Sequence, residues 1–571
     1  MEFVATKEQQ AILDADLVPV KVIACAGSGK TATAVRRLVE VRCRMGSSRG
    51  YAVLLSYSNI AVDIFRREYR QVAGKYSNIS DRVLISTVDS FIANNILLPH
   101  GAAVMGCSCR PFLVHGRERF LENKAFNVFD GTRPVPITKV DLRSVGHDSW
   151  EFFNTDSRQP LPEGNAIKAA NSLAKTGAYT HAMGRMWALS ALTNVDGLAA
   201  ILAKRYPHIL IDEAQDIGSL HGDTLLQLEA AGSVLGLVGD PNQAIYEFAD
   251  ADGSFLKEFK LPVHGLNQPL TENRRSVSQV VAVSNRIGNV ASTCIRAVPE
   301  RKHGSYFIKY DPNRLQDLIA TFETILDEND YPRENVAILA RGTSLSYQLG
   351  GGKGSFGQGA TKLFVEAAVK RDMHGDIAAA FELTLDGMLR LVETSDNGIR
   401  LKVLSGQREP IVRSLRKQVW KFLRDEPTGI PHASLAGDKW HAELKKRLPA
   451  VLGSIQSICG MSPRKSWGMN VTVKELGREP LLQESLIAHT AQSIRISTVH
   501  KTKGESIAAV LYVTNTKSLN SLLGGTVNEE GRIAYVAITR ASDLLVLAVQ
   551  NSITIAKLVS LKKIGFVEWA M

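Results

Sequence analysis

The sequence is poor in cysteine and holds no long apolar run. Six cysteines among 571 residues (Cys25, Cys43, Cys107, Cys109, Cys294 and Cys459) are too sparse for a disulfide framework and suit a reducing compartment, so a cytoplasmic address is expected. Cys107 and Cys109 have no second pair at metal spacing and read as ordinary small residues. No apolar stretch approaches the ~20 residues that cross a bilayer, and Met1-Glu2-Phe3 leads into a polar segment without a basic region and apolar core. Neither a membrane span nor a secretory signal is expected. With 44% hydrophobic and 22% charged residues, disordered and fibrous classes are excluded. The length exceeds one hydrophobic core and implies roughly three to five folding units. The formal charge of +11 favours a polyanionic partner, though many basic proteins bind none.

What is present begins with a short β-branched run, Val20 to Ala24, followed by Ala26-Gly27-Ser28-Gly29-Lys30-Thr31 and a helical pattern through Ala34, Val35, Leu38 and Val39. Strand, tight loop and helix form the context in which backbone N–H groups cradle phosphates. Lys30 then reaches the β- and γ-phosphates and Thr31 holds Mg²⁺. The strict pattern asks for glycine at Ala24; the other positions are intact. A second apolar run, Ile209-Leu210-Ile211, ends in Asp212-Glu213-Ala214-Gln215-Asp216, which places carboxylates at a strand's C-terminal edge where ligands of open α/β sheets bind. Asp212 is the candidate Mg²⁺ ligand, and Glu213 the candidate general base.

Further segments follow in a fixed order. Thr6-Lys7-Glu8-Gln9-Gln10 precedes the loop; Leu54-Leu55-Ser56-Tyr57-Ser58-Asn59 and Ile85-Ser86-Thr87-Val88-Asp89-Ser90-Phe91 follow it. Then come Gly239-Asp240-Pro241-Asn242-Gln243-Ala244-Ile245-Tyr246, Thr271-Glu272-Asn273-Arg274-Arg275-Ser276, Thr498-Val499-His500-Lys501-Thr502-Lys503-Gly504-Glu505 and Tyr535-Val536-Ala537-Ile538-Thr539-Arg540. Taken in this order the chain resembles the superfamily 1 DNA helicases of the UvrD/Rep/PcrA type. The resemblance implies an α/β fold with two RecA-like P-loop motor domains, each carrying a mainly helical inserted accessory domain. It also implies ATP and Mg²⁺ as cofactors, single-stranded DNA and duplex junctions as partners, and 3′ to 5′ movement driven by hydrolysis. Gln9, with Gln10 as the fallback, is the implied adenine reader, and Glu505 the implied ribose contact. Gln243, Arg275 and Arg540 are the implied γ-phosphate sensors. Ser56, Asn59, Thr87, Phe91, Tyr246, Thr498 and His500 are the implied DNA contacts, with Tyr246 offering a stacking face. Asp89 stands where the family has histidine and is not carried over; Arg274 stands where the family often has an aromatic.

Lys30 and Asp212 lie 182 positions apart, more than a bare nucleotide-binding domain needs. The expected division is a first motor domain at 1–91 and 194–265 with an insertion at 92–193, and a second motor domain at 266–345 and 488–571 with an insertion at 346–487. The glycine-rich run from Gly350 to Gly354 lacks a preceding strand and a closing Lys-Ser/Thr, and reads as a hinge or loop. Residues 400–448 carry twelve Lys/Arg against five Asp/Glu. There Arg413, Arg416, Lys417, Trp420, Lys421 and Arg424 recur at helical spacing opposite Val412, Leu415, Val419 and Leu423. That face is either a duplex- or partner-facing surface or a solvated one. The resemblance implies service in DNA repair, recombination or anti-phage defence, and Lys503-Gly504-Glu505 is similar to helicase-like subunits of defence systems such as Gabija. A rival reading is a DNA-stimulated ATP switch that does not unwind and regulates a nuclease on a separate chain.

Overall fold

A computed structural model describes residues 3–570 apart from 77–80, 115–117, 147–148, 248–249, 350–357, 373–374, 395, 397, 405–406, 408, 474–475, 477–480 and 482–493. The glycine-rich run at 350–354 therefore lies outside the described residues. The chain divides into two compact units, 1–309 with 499–571, and 310–498.

The first unit is built on a six-stranded sheet ordered Leu266–Asn267, Val20–Ile23, Val234–Gly239, His208–Asp212, Ala52–Ser56 and Val83–Thr87. Every pairing in it is parallel. Ala52–Ser56 and His208–Asp212 are buried along their whole length, which explains their unbroken apolar runs: a parallel sheet covered on both faces has no solvent side to alternate towards. Because the strands run the same way, Ile23, Ser56, Thr87, Asp212 and Gly239 all end on one edge. Sequence segments up to 216 residues apart along the chain thus meet at one rim. The same unit holds the strands Ile507–Val513, Ala541–Gln550, Gly304–Tyr310 and Val567–Glu568 in that order, with parallel pairing of Ile507–Val513 to Ala541–Gln550.

The expectation of a mainly helical segment at 92–193 is corrected. It contains the hairpin Asn127–Phe129 with Pro134–Pro136 and an antiparallel sheet of Val140–Gly146, Ser149–Asn154 and Pro160–Leu161. The reason is legible in hindsight: Val140, Leu142 and Phe152 are buried at alternate positions, the period of a one-sided strand, and prolines bound these segments. Its apolar residues join those of the six-stranded sheet in one core, with Val53, Leu55, Ile209 and Leu237 in the same cluster as Ile137, Leu142, Phe152 and Leu173. The helices His181–Asn194 and Leu198–Arg205 close the segment.

In the second unit Val336–Ala340 pairs in parallel with Arg495–Thr498, setting Ala340 opposite Thr498. The helices Gly359–Asp372, Ile377–Leu391, Ile399–Leu404, Pro410–Arg424 and Gly437–Cys459 surround a core that includes Phe364, Met388, Val419, Trp440 and Leu444. Pro410 opens its helix where the missing N–H costs nothing, and Lys421 and Arg424 sit in the last turn, facing the negative end of the helix dipole. Val412, Leu415, Val419 and Leu423 are buried. Two members assigned to the basic face are not on it: the Trp420 ring packs 4.5 Å from that of Phe381, and Arg416 donates to the Val403 carbonyl at 2.8 Å. The exposed stripe is Arg413, Lys417, Lys421 and Arg424. Among the described residues no single helix is long and apolar enough to cross a membrane.

Candidate nucleotide site and its outer edge

The loop between Ile23 and Lys30 needs glycine at two positions. Gly27 and Gly29 have φ of 75° and 78°, in the left-handed region that side chains resist. A Cβ on Gly27 would also stand 2.7 Å from the Arg275 Cβ, and one on Gly29 would stand 2.9 Å from the Gln9 Nε2. Asn273 Nδ2 donates to the Ala26 carbonyl at 2.7 Å, and the Arg274 N–H donates to the Gly27 carbonyl at 2.9 Å. Ser28 hydroxyl donates to the Cys25 carbonyl at 2.9 Å, which folds the loop over itself ahead of the helix Lys30–Arg44. Gln9 is buried with both ends of its amide in use: Oε1 accepts from the Thr6 N–H in a capping box, and Nε2 donates to the Ser28 carbonyl at 2.9 Å. Its role there is to tie the first helix to the loop. Gln10 turns outward and donates to Asp14 at 2.8 Å.

Lys30 is buried at the start of its helix, and its charge acts on Asp212, Glu213 and Asp240, three carboxylates at neighbouring strand ends. Burial, with the Glu213 charge beside it, pushes the Asp212 carboxyl up to about 7 against the pull of Lys30. Burial alone would raise Glu213 too, but Lys30, Lys503, the Gln215 amide and Arg540 together bring it below its ordinary value. The backbone of Glu213 has φ 54° and ψ 42°, an uncommon conformation for a side-chain-bearing residue. Gln215 Nε2 donates to its Oε2, while Gln215 Oε1 accepts from the Asp240 N–H at 3.0 Å. One amide thereby fixes the acid and the next strand end.

A divalent cation fits these residues. Thr31 Oγ1 donates to Asp212 Oδ2 at 3.4 Å, and Asp212 Oδ1 is buried without a hydrogen-bond partner among the described residues, the state of a carboxylate oxygen awaiting a cation. No group of three His, Cys, Asp or Glu side chains suited to a metal occurs among the described residues. The other ligands would be phosphate oxygens and water, as magnesium sites prefer.

Arg540 and Arg275 face the same acids. Arg540 is fully enclosed: Nε donates to Val536 O at 3.1 Å, Nη1 to Glu505 O at 3.1 Å and Nη2 to Gln243 Oε1 at 3.2 Å. Burial, reinforced by Arg275, lowers it to about 9. Arg275 donates to Thr539 O at 3.3 Å, and the Glu213 charge pulls on it. Gln243 donates from Nε2 to Asp240 Oδ2 at 2.8 Å, so its amide bridges Asp240 and Arg540. What Glu505 supplies here is its backbone carbonyl. A buried pair not singled out by sequence reasoning links this centre to the rim: Lys503 Nζ donates to Asp216 at 2.6 and 2.7 Å and to Gln243 O at 2.7 Å. Both residues lie inside the quoted segments, but nothing along the sequence pairs them.

At the rim, Asn59 is exposed at the start of its helix and Ser56 is buried. Thr87 caps the next helix, accepting from the Ser90 N–H. Tyr246 stacks on Tyr57 at 5.0 Å with 25° between the rings, and Lys503 Nζ stands 4.9 Å from the Tyr246 centroid. Tyr57, inside its motif but unassigned from sequence, is thus the partner of the proposed stacking residue. His500 Nε2 lies 3.2 Å from Ile245 O, with its ring 6.1 Å from that of Tyr246. Thr498 belongs to the other unit, at the end of its strand. Phe91 is corrected: it is 0% exposed, edge-on to Tyr206 at 5.1 Å, and is a core residue rather than a DNA contact.

Asp89 is also accounted for. Its carboxylate accepts from Arg185 Nε at 2.8 Å and Nη2 at 3.0 Å and lies 2.9 Å from His221 Nε2, so it faces a guanidinium and an imidazole of the protein. Burial opposes its charge, but the His221 and Arg185 contacts hold it well below the carboxylate range. A depressed acid contributes stability above its unfolded value and loses it as pH falls. Asp89→Asn is expected to cost about 1–2 kcal/mol at pH 7, discounted for partial exposure. Denaturant unfolding should show that cost shrinking at pH 3; a cost constant with pH would assign it to packing.

A phosphate loop with an acid pair at the end of the next strand but one and buried arginines opposite defines a P-loop nucleoside-triphosphate-binding protein. The family description "UvrD/REP helicase N-terminal domain" matches residues 166–264, and "UvrD-like helicase C-terminal domain" matches 461–552. Two regions of the chain are thus similar to the N-terminal and C-terminal domains of UvrD-like helicases. It is 25% identical over 294 residues to a putative ATP-dependent DNA helicase of Acanthamoeba polyphaga mimivirus, covering 51% of this chain and 32% of that protein. With the ATP-dependent DNA helicase UvrD2 of Mycobacterium tuberculosis it shares 26% over 383 residues, 62% of this chain and 48% of the relative. With the RecBCD enzyme subunit RecB of Borreliella burgdorferi it shares 28% over 185 residues, 29% of this chain and 16% of that one. The chain spans less than half the length of each of these relatives.

Proposed function

We propose that the chain is an ATP-dependent DNA helicase of the UvrD type, moving 3′ to 5′ on single-stranded DNA. The observation that carries this reading is the convergence of Lys30, Glu213, Gln243, Arg275 and Arg540, from distant segments, on the phosphate loop. Lys30 and the loop N–H groups hold the triphosphate. Mg²⁺, held by Thr31 and Asp212, would neutralise charge on the β- and γ-phosphates. Glu213 orients and deprotonates the attacking water; Arg540 and Arg275 meet the charge that develops on the γ-phosphate. Gln243, bonded to Arg540 and followed by Tyr246, passes the state of the phosphate to the Tyr57–Tyr246 pair at the rim. The domain division at 1–91 with 194–265 and 266–345 with 488–571 belongs to this reading.

Strand displacement tests it. With ATP, a duplex carrying a 3′ tail should be separated, and one carrying only a 5′ tail should stay paired. DNA-stimulated hydrolysis without displacement of either would replace the helicase by a non-unwinding switch.

The exposed stripe Arg413, Lys417, Lys421 and Arg424 is the proposed duplex contact. Changing Arg413, Lys417 and Lys421 together to Gln should lower the slope of log affinity against log salt by up to about 3. Duplex titrations at several salt concentrations measure it, and an unchanged slope makes the stripe a solvated face.

A further inference from the structure

Beside the phosphate loop, two guanidinium groups lie over one aromatic ring of the protein. Phe3 precedes the helix Lys7–Asp14; the Arg36 Cζ lies 3.6 Å from its ring centroid and the Arg274 Cζ lies 6.0 Å away. Both arginines belong to the loop's immediate frame. Arg36 is on the helix that starts at Lys30 and donates to the Ala32 carbonyl at 3.0 Å. Arg274 is tied by its own N–H to the Gly27 carbonyl.

One polar atom of this pair of arginines is buried without a hydrogen-bond partner among the described residues: Arg274 Nε, a donor. Guanidinium groups stack on a π face, and a phenyl ring satisfies that preference. A phenyl ring has no acceptor for Nε–H, so it leaves that donor unsatisfied. A nucleobase has the same flat face together with ring nitrogens that accept.

We propose that Phe3 occupies the nucleobase slot as an intramolecular stand-in, and that the base of a bound nucleoside triphosphate displaces it to stack on Arg274 and Arg36. This rests on the reading of the loop as a triphosphate site. The segment before the first helix then holds the empty site closed, and binding a nucleotide releases it. A site whose competent state is only partly populated binds its ligand more weakly by that fraction, so removing Phe3 strengthens nucleotide binding.

The test compares ATP with inorganic tripolyphosphate, which has no base, by calorimetric titration of the full chain. Phe3→Ala should bind ATP about fivefold tighter, with tripolyphosphate affinity unchanged. Phe3→Leu, which keeps apolar bulk but lacks the π face, should move ATP affinity in the same direction. Arg274→Ala should weaken ATP and leave tripolyphosphate unaffected. Tripolyphosphate binding that is present in the unaltered chain and lost in Lys30→Ala marks the phosphate site; its absence overturns the site reading and the slot with it. Intact tripolyphosphate binding with ATP affinity unmoved or weakened in Phe3→Ala overturns the slot alone, the weakened case making Phe3 part of the platform.

Discussion

Glu213→Gln is expected to leave ATP affinity within about twofold and to cut DNA-stimulated turnover by about 10²- to 10⁴-fold. The substitution preserves shape, and the new amide oxygen can still accept from Gln215 Nε2. What it removes is the negative charge, which the site maintains deliberately: Lys30, Lys503 and Arg540 outweigh burial and keep the carboxyl below its ordinary value. An acid so placed is ionised before substrate arrives and available as a base. Its left-handed backbone aims it away from the regular strand direction, so a neighbour is poorly placed to substitute. Asp212 does not compensate, because its carboxyl, pushed up to about 7, is turned to Thr31. Nucleotide titration and steady-state hydrolysis with single-stranded DNA measure the two quantities. Turnover within a few-fold of the unaltered chain would remove Glu213 from the role of base.

Local signals located the chemistry better than they located its surroundings. The loop around Lys30 and the acids after Ile211 could be found because each is a contiguous pattern with a fixed relation to a strand end, and the parallel sheet puts those ends on one rim. The wholly buried strands were visible for the same reason. Partners created only by folding were not. Asp89 was an unexplained acid in sequence, since Arg185 lies 96 positions on and His221 132. Lys503 and Asp216 are separated by 287 positions. The resemblance implies a DNA contact at Phe91, yet a helical turn after Thr87 carries its ring back into the core against Tyr206. In the segment 92–193 the alternation of Val140, Leu142 and Phe152 is short and interrupted by turns, so helical periodicity further on dominated the reading.

Arg540→Ala is expected to have the other large effect, about 10³- to 10⁵-fold on turnover with a much smaller change in ATP affinity. Four protein acceptors, the carbonyls of Val536 and Glu505, the Gln243 amide oxygen and the Thr539 hydroxyl, hold the guanidinium before any substrate is present. Orientation therefore costs nothing at the moment of reaction, which is where preorganised charge has its value. Although burial and Arg275 lower it to about 9, the group stays protonated at neutral pH. Arg540→Lys keeps a charge but cannot meet these four diverging acceptors with a planar fork, so it should recover only a small part of the rate. A lysine variant near full activity would reduce Arg540 to a point charge. An alanine variant whose loss lies mainly in ATP affinity would move its contribution from the transition state to ground-state binding. Single-turnover hydrolysis at saturating ATP, alongside nucleotide titration, separates the two because only the chemical step reports the charge that develops on the γ-phosphate.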